Sequence, residues 1–376
     1  MRGRRGMTVV LCAVLLGSAA VPCAARAQAA APADFLAGPA TAVLFFVEGQ
    51  PHAGMPAAVA RMRRFTLART ATLLAEAGRP VVESGRLDGP RREWRVRSGM
   101  NVGAGFLDAC RRDAGAAELV LLTLVSRPER LVLMGRLIGC ADGSLRAVAI
   151  AEGDVPRATA NAALAAVGDT TAAPTFDDPA DRAWQRDLAD LAAAVVAELL
   201  TPRAVTADDV ILFLPASGVG TNADADLAAT HLYLRGALAE NRWRIVDPAV
   251  AVVALQTAGL QSRWVGAEAR RLLEKDFGAR SVILSELISF DATRRGPASV
   301  TVAFDAAPSL AIRDFLLSLR LVDLRTGGII AADQLFVDTS RRAGWFGRRF
   351  HRTLLQEIDI ASRELWQDFL KDLEDN

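Results

Sequence analysis

Arg112–Leu122 reads RDAGAAELVLL, and Lys275–Ser285 reads KDFGARSVILS. Each passes from a polar helix end through Gly-Ala into a short apolar run. A glycine just past a helical stretch suits a left-handed C-terminal cap, and the run after it reads as a buried strand. Finding this unit twice asks whether the whole chain says one thing twice.

Outward from these segments, the flanking pieces recur in the same order. VLFF (Val43 to Phe46) answers ILFL (Ile211 to Leu214), and WQRDLADL (Trp184 to Leu191) answers WQDFLKDL (Trp366 to Leu373). Ordered self-similarity is the signature of an internal duplication. In the first copy, the periodicity predicts strands at Ala40–Val47, Pro80–Leu87, Glu118–Ser126, Arg130–Gly139 and Leu145–Ala151. Helices are expected at Ala57–Ala77, Val102–Ala114 and Asp181–Leu200. Pro156–Pro179, rich in Ala, Thr, Pro and Asp, reads as a long surface connection. After Pro202 the order restarts: strands at Val210–Leu214, Trp243–Val246, Arg280–Phe290, Phe315–Leu324 and Gly328–Val337, helices at Leu227–Glu240, Val265–Phe277 and Thr353–Leu373. The expected fold class is α/β, bordering on α+β: two tandem small domains, 34–201 and 205–376, each a mixed sheet with helices packed on it.

The 376 residues carry 44 basic and 43 acidic side chains at 51% hydrophobic content, the balance of a chain that buries real cores. All the basic residues except Lys275 and Lys371 are arginine. With so much alanine, that is the mark of a GC-rich coding sequence, so arginine clusters alone do not point to nucleic acid. At the N-terminus, Arg2, Arg4 and Arg5 precede an apolar stretch from Val9 to Ala20, and Ala27-Gln28-Ala29 supplies a peptidase site. Residues 1–29 are therefore read as a cleaved export signal, with the periplasm as destination. Pro22 makes Cys23 a poor lipobox cysteine. Cys110 and Cys140 remain in the mature chain, as a disulfide in an oxidising compartment or as two buried thiols.

The second copy resembles a known envelope family. ILFLPASG (211–218), RWRIVDPAV (242–250), EKDFGARSVILSEL (274–287) and LLSLRLVDLRTGGII (316–330) fall in the order of the CsgG/TolB amino-terminal/LpoB-like α/β domain. The first copy fits more loosely. The resemblance implies a non-enzymatic part of a secretion channel, a cell-wall synthase activator, or a flagellar or envelope accessory. Pore-forming members carry membrane-inserting hairpins; here only Ser299–Leu321 offers alternation of that kind.

Catalytic patterns are weak. Gly218-x-Gly220 has no following lysine to meet a phosphate, so the stretch before Asp224 and Asp226 reads as a strand-to-helix turn capped by Thr221, Asn222 or Asp224. His52, His231 and His351 stand apart from any Gly-x-Ser-x-Gly motif or metal-ligand spacing. No catalytic residue, metal or cofactor is expected. One stretch reads as an interaction surface: Ser340–Arg352, SRRAGWFGRRFHR, interleaves Arg341, Arg342, Arg348 and Arg349 with Trp345, Phe346 and Phe350. The expected partners are envelope proteins, with peripheral membrane contact open to that loop. The alternative is a receptor holding a small ligand between the two domains.

Overall fold

The computed structural model describes residues 38–48, 56–126, 130–154, 179–201, 209–219, 223–240, 242–261, 265–289, 314–337 and 354–375. The first half contributes β1 (Thr41–Glu48), α1 (Pro56–Glu76), a 3-10 turn (Ser84–Leu87), α2 (Asp88–Glu93), α3 (Ala104–Asp113), β2 (Glu118–Ser126), β3 (Arg130–Gly139), β4 (Leu145–Asp154) and α4 (Pro179–Leu199). The second contributes β5 (Val210–Val219), α5 (Ala223–Ala239), β6 (Arg244–Val246), α6 (Pro248–Thr257), α7 (Ala267–Phe277), β7 (Ser281–Ser289), β8 (Phe315–Asp323), β9 (Ile329–Val337) and α8 (Leu354–Asp375).

The strands form two mixed sheets, ordered β1-β2-β3-β4 and β6-β5-β7-β8-β9. Both share one pairing pattern: β1 runs parallel to β2 as β5 does to β7, and each then continues into two antiparallel pairs. The closing hairpins match in detail. Gly143 and Gly327, at φ 64° and 77°, donate their N–H groups to Gly139 and Asp323 carbonyls. Cys140 and Leu324 donate to the carbonyls of Ala117 and Arg280, the residues just before β2 and β7.

Alternation sorts the first sheet's side chains onto two faces. Val43, Phe45, Val120, Leu122, Leu133 and Leu137 pack against α1 and α4 through Met62, Leu74, Leu188, Leu191 and Val195. On the other face, Ala42, Leu44, Phe46, Leu121, Ile138 and Val148 join an apolar cluster that continues without a break into the second half. Toward the far end, Val132 and Met134 meet Leu227 and Ala228 of α5 and Leu355 of α8. Residues 37–376 cluster as one compact unit.

Three elements depart from the sequence reading. Pro80–Leu87 is not a strand: Val81 makes a single parallel bridge to Thr41, and the chain turns into the 3-10 segment. Glu83, Ser84, Gly85 and Arg86 are exposed there, so no apolar row holds an extended edge. β5 does not stop at Leu214. It passes Pro215 through an irregularity between Leu214 and Ser217 and pairs with β7 as far as Val219, so Gly218 belongs to a strand. Between the expected strand ending at Val246 and the expected helix from Val265, the sequence reading assigns no element, yet α6 forms there, capped by Asp247 with Pro248 in its first turn.

Helix packing also explains a mid-helix glycine. A Cβ on Gly236 of α5 would lie 2.2 Å from Cδ1 of Trp366 on α8, itself packed edge-on against Phe369 at 5.4 Å. Alanine is the better helix former by about 1 kcal/mol, so a surface glycine would gain from the change. Here overpacking reverses the sign: Gly236→Ala is expected to lose stability and Gly236→Val to lose about 1–3 kcal/mol, read from urea unfolding.

Candidate functional site: a buried polar junction

β3 carries an arginine where its neighbours on the same face are Met134 and Ile138. Arg136 is fully buried, and a buried guanidinium needs a counter-charge and acceptors. Both come from outside its own strand. Nη1 donates to Asp247 Oδ1 at 2.9 Å, and Nη2 donates to the Gly99 carbonyl at 2.5 Å. Asp247, equally buried, lies 111 residues along the chain and caps α6, where its Oδ1 also accepts the Ala249 N–H at 2.9 Å. Its own N–H donates to the Gly143 carbonyl in the β3–β4 turn. Beside it, Ser144 and Val246 form an antiparallel bridge, joining the edges of the two sheets.

His231, on α5, completes the group. It is 1% exposed, with Nδ1 2.8 Å from the Leu227 carbonyl. Burial, reinforced by the Arg136 charge, pushes its pKa down to about 3, so the ring is neutral. Burial also pushes the Asp247 carboxyl up, against Arg136 and the Ala249 amide. Arg136 Nε, Asp247 Oδ2 and His231 Nε2 are buried with no protein partner, which suits small polar molecules such as ordered water. The arrangement is a lock between the halves. A neutral imidazole sealed from solvent is badly placed for proton transfer to a substrate.

The expected site residues fall elsewhere. Cys110 on α3 and Cys140 after β3 belong to the same apolar cluster, both as free, buried thiols. Burial raises each to about 12, with the neighbouring Cys140 adding to the rise at Cys110. Arg341, Arg342, Trp345, Phe346, Arg348, Arg349 and Phe350 lie outside the described residues, as do Thr221, Asn222, His52 and His351. Asp224 falls in the first turn of α5. Among the described residues, no group of three or more His, Cys, Asp or Glu side chains is placed to hold a metal ion. The junction itself was missed in the sequence. Its one local signal is Asp247-Pro248, a helix-start dipeptide; the partner on β3 is visible only in three dimensions.

No family model matches the chain. No curated protein matches it either. Among solved structures, lipoprotein GNA1162 from Neisseria meningitidis is 13% identical, with a TM-score of 0.26 over 36% of this chain and 100% of its own. The PelC dodecamer from Paraburkholderia phytofirmans is 11% identical, with a TM-score of 0.25 over 44% of this chain and 87% of its own. The LpoB C-terminal domain from Salmonella enterica is 14% identical, at 0.21 over 33% and 87%. At such identities and TM-scores the likeness carries no weight for function.

Two outcomes follow from the junction. Removing one partner strands a buried charge, so Asp247→Ala or Arg136→Met should each cost about 3–5 kcal/mol, whereas Arg136→Met with Asp247→Leu should recover much of the loss. Urea unfolding of the three variants tests this, and additive losses would contradict it. For His231 the folded pKa lies below the unfolded value, so the unfolded chain binds a proton that the folded chain does not. Its contribution is intact above about pH 6.5 and is lost as pH falls toward 3, by up to about 1.4 kcal/mol per pH unit. His231→Gln should flatten the stability slope between pH 6.5 and 4 relative to wild type.

Proposed function

We propose that the protein is an exported, non-enzymatic accessory factor that binds and positions other components of the cell envelope. The observation that carries this reading is the outer edge of the second sheet. β9 ends that sheet's order, and among the described residues no strand pairs with its outer side. Ile329 is 60% exposed and Ile330 42%. Large aliphatic side chains in that setting are a liability unless a partner covers them, and an open strand edge accepts a strand from another protein. At the other end of β9, Phe336 is 54% exposed and pairs with Leu316, which is half-buried and opposed to the half-buried Ile288 of β7.

Other features support the reading from the sequence side: the export signal at 1–29, the resemblance of 209–337 to envelope accessory domains, and the Arg/Trp/Phe stretch at Ser340–Arg352. Among the described residues no helix is long and apolar enough to cross a membrane.

In-cell cross-linking followed by mass spectrometry tests the proposal, comparing wild type with Ile330→Glu and with Trp345→Ala/Phe346→Ala. All of these positions avoid the described core. An envelope protein captured by wild type and lost from either variant is the expected result. Capture of the chain only with itself, or with nothing, would contradict the proposal and favour a small-ligand receptor.

A further inference from the structure

Two adjoining cavities open on the first half. The larger, about 430 Å³, lies between α1, β1 and the 3-10 turn with α2, and Arg63, Arg64, Arg91, Ser84 and Asp88 stand in its walls. The smaller, about 370 Å³, shares Asp88 and Arg91 and adds Arg92, Arg95 and Arg97. Six guanidinium groups therefore meet one carboxylate, in a chain whose charges otherwise balance.

Several arginines elsewhere are paired with acids: Arg79 with Glu118, Arg235 with Asp359 and Arg320 with Glu286. Among the described residues, none of the ion pairs uses Arg63, Arg64, Arg91, Arg95 or Arg97. Arg91 links the two cavities. Its guanidinium lies 5.6 Å over the Phe46 ring, and its Nε is buried without a hydrogen-bond partner. Burial, and then the charge of Arg63, pull its pKa down against the weaker pull of Asp88. Arg95 has φ 51°, the one positive φ among described non-glycine residues, and its carbonyl is held by the Asn101 side chain at 3.1 Å. A side chain rarely adopts that backbone, so a specific set of contacts fixes where this arginine starts.

Guanidinium forks match oxyanions bidentately, and several converging on one cleft favour a ligand with more than one negative charge on a small group. That condition selects phosphate over a single carboxylate. Phe45, Leu67 and Leu87 add apolar surface for the carbon part of such a ligand. We infer that the cleft bounded by Arg63, Arg64 and Arg91 is a binding site for a phosphate group, borne by a small phosphorylated molecule or by a phospholipid headgroup. The inference does not depend on the accessory role proposed above.

The test uses the mature chain. Binding of inorganic phosphate and pyrophosphate is followed by titration calorimetry at matched ionic strength. Flotation with phosphatidylglycerol-containing vesicles, against pure phosphatidylcholine, covers the lipid source. Arg63→Ala/Arg64→Ala, both exposed positions, should weaken binding about tenfold or more. Arg271→Ala/Arg325→Ala, which removes the same charge elsewhere, should leave it unchanged. Calorimetric binding of the free anions identifies a soluble ligand, and binding to anionic vesicles alone identifies a headgroup; either supports the site. No binding to any probe, or equal loss in both double variants, would overturn it.

Discussion

The buried ion pair between Arg136 and Asp247 is the constraint around which the rest of the molecule is arranged. It places a charge in the centre of the first sheet, on a face that is otherwise aliphatic, and that charge is tolerable only if the second half is folded against it. The same carboxylate starts α6, and the same residue's N–H ties down the β3–β4 turn. One residue therefore serves the sheet, the helix and the joint. Pairs of this kind give little net stability compared with an apolar replacement, but they penalise every arrangement that leaves one member alone. Here they select one docking of the halves over a looser apolar contact.

That joint places the outward-facing features. With α5 and α8 packed on the first sheet, and the sheets bridged at Ser144 and Val246, the β9 edge on the second half and the arginine-lined clefts on the first are open surfaces among the described residues.

Much of this was legible in the sequence. β2 and β3 fall where alternation and apolar runs placed them, and Gly115 and Gly278 adopt φ 71° and 62° after α3 and α7 as helix-ending glycines should. The mixed α/β class follows from those elements. What stayed hidden has physical reasons. α6, PAVAVVALQT, is so uniformly apolar that no helical period shows, because both of its sides are buried. The strand through Pro215 was cut short because proline ordinarily ends a ladder, whereas here an irregularity absorbs it. Arg136 looked like any other arginine in an arginine-rich chain; only its position on β3 makes it singular. The arginine clefts draw on α1 and on the segment after it, which sequence spacing alone does not bring together.

The central claim is that the two halves are one cooperative unit closed by the junction. Native-state hydrogen exchange on the mature protein, followed as a function of added denaturant, tests it most directly. The account predicts that amides in β3 and in β7 converge on one opening free energy with one denaturant dependence. A first sheet that opens at its own lower free energy while the second stays protected would contradict it.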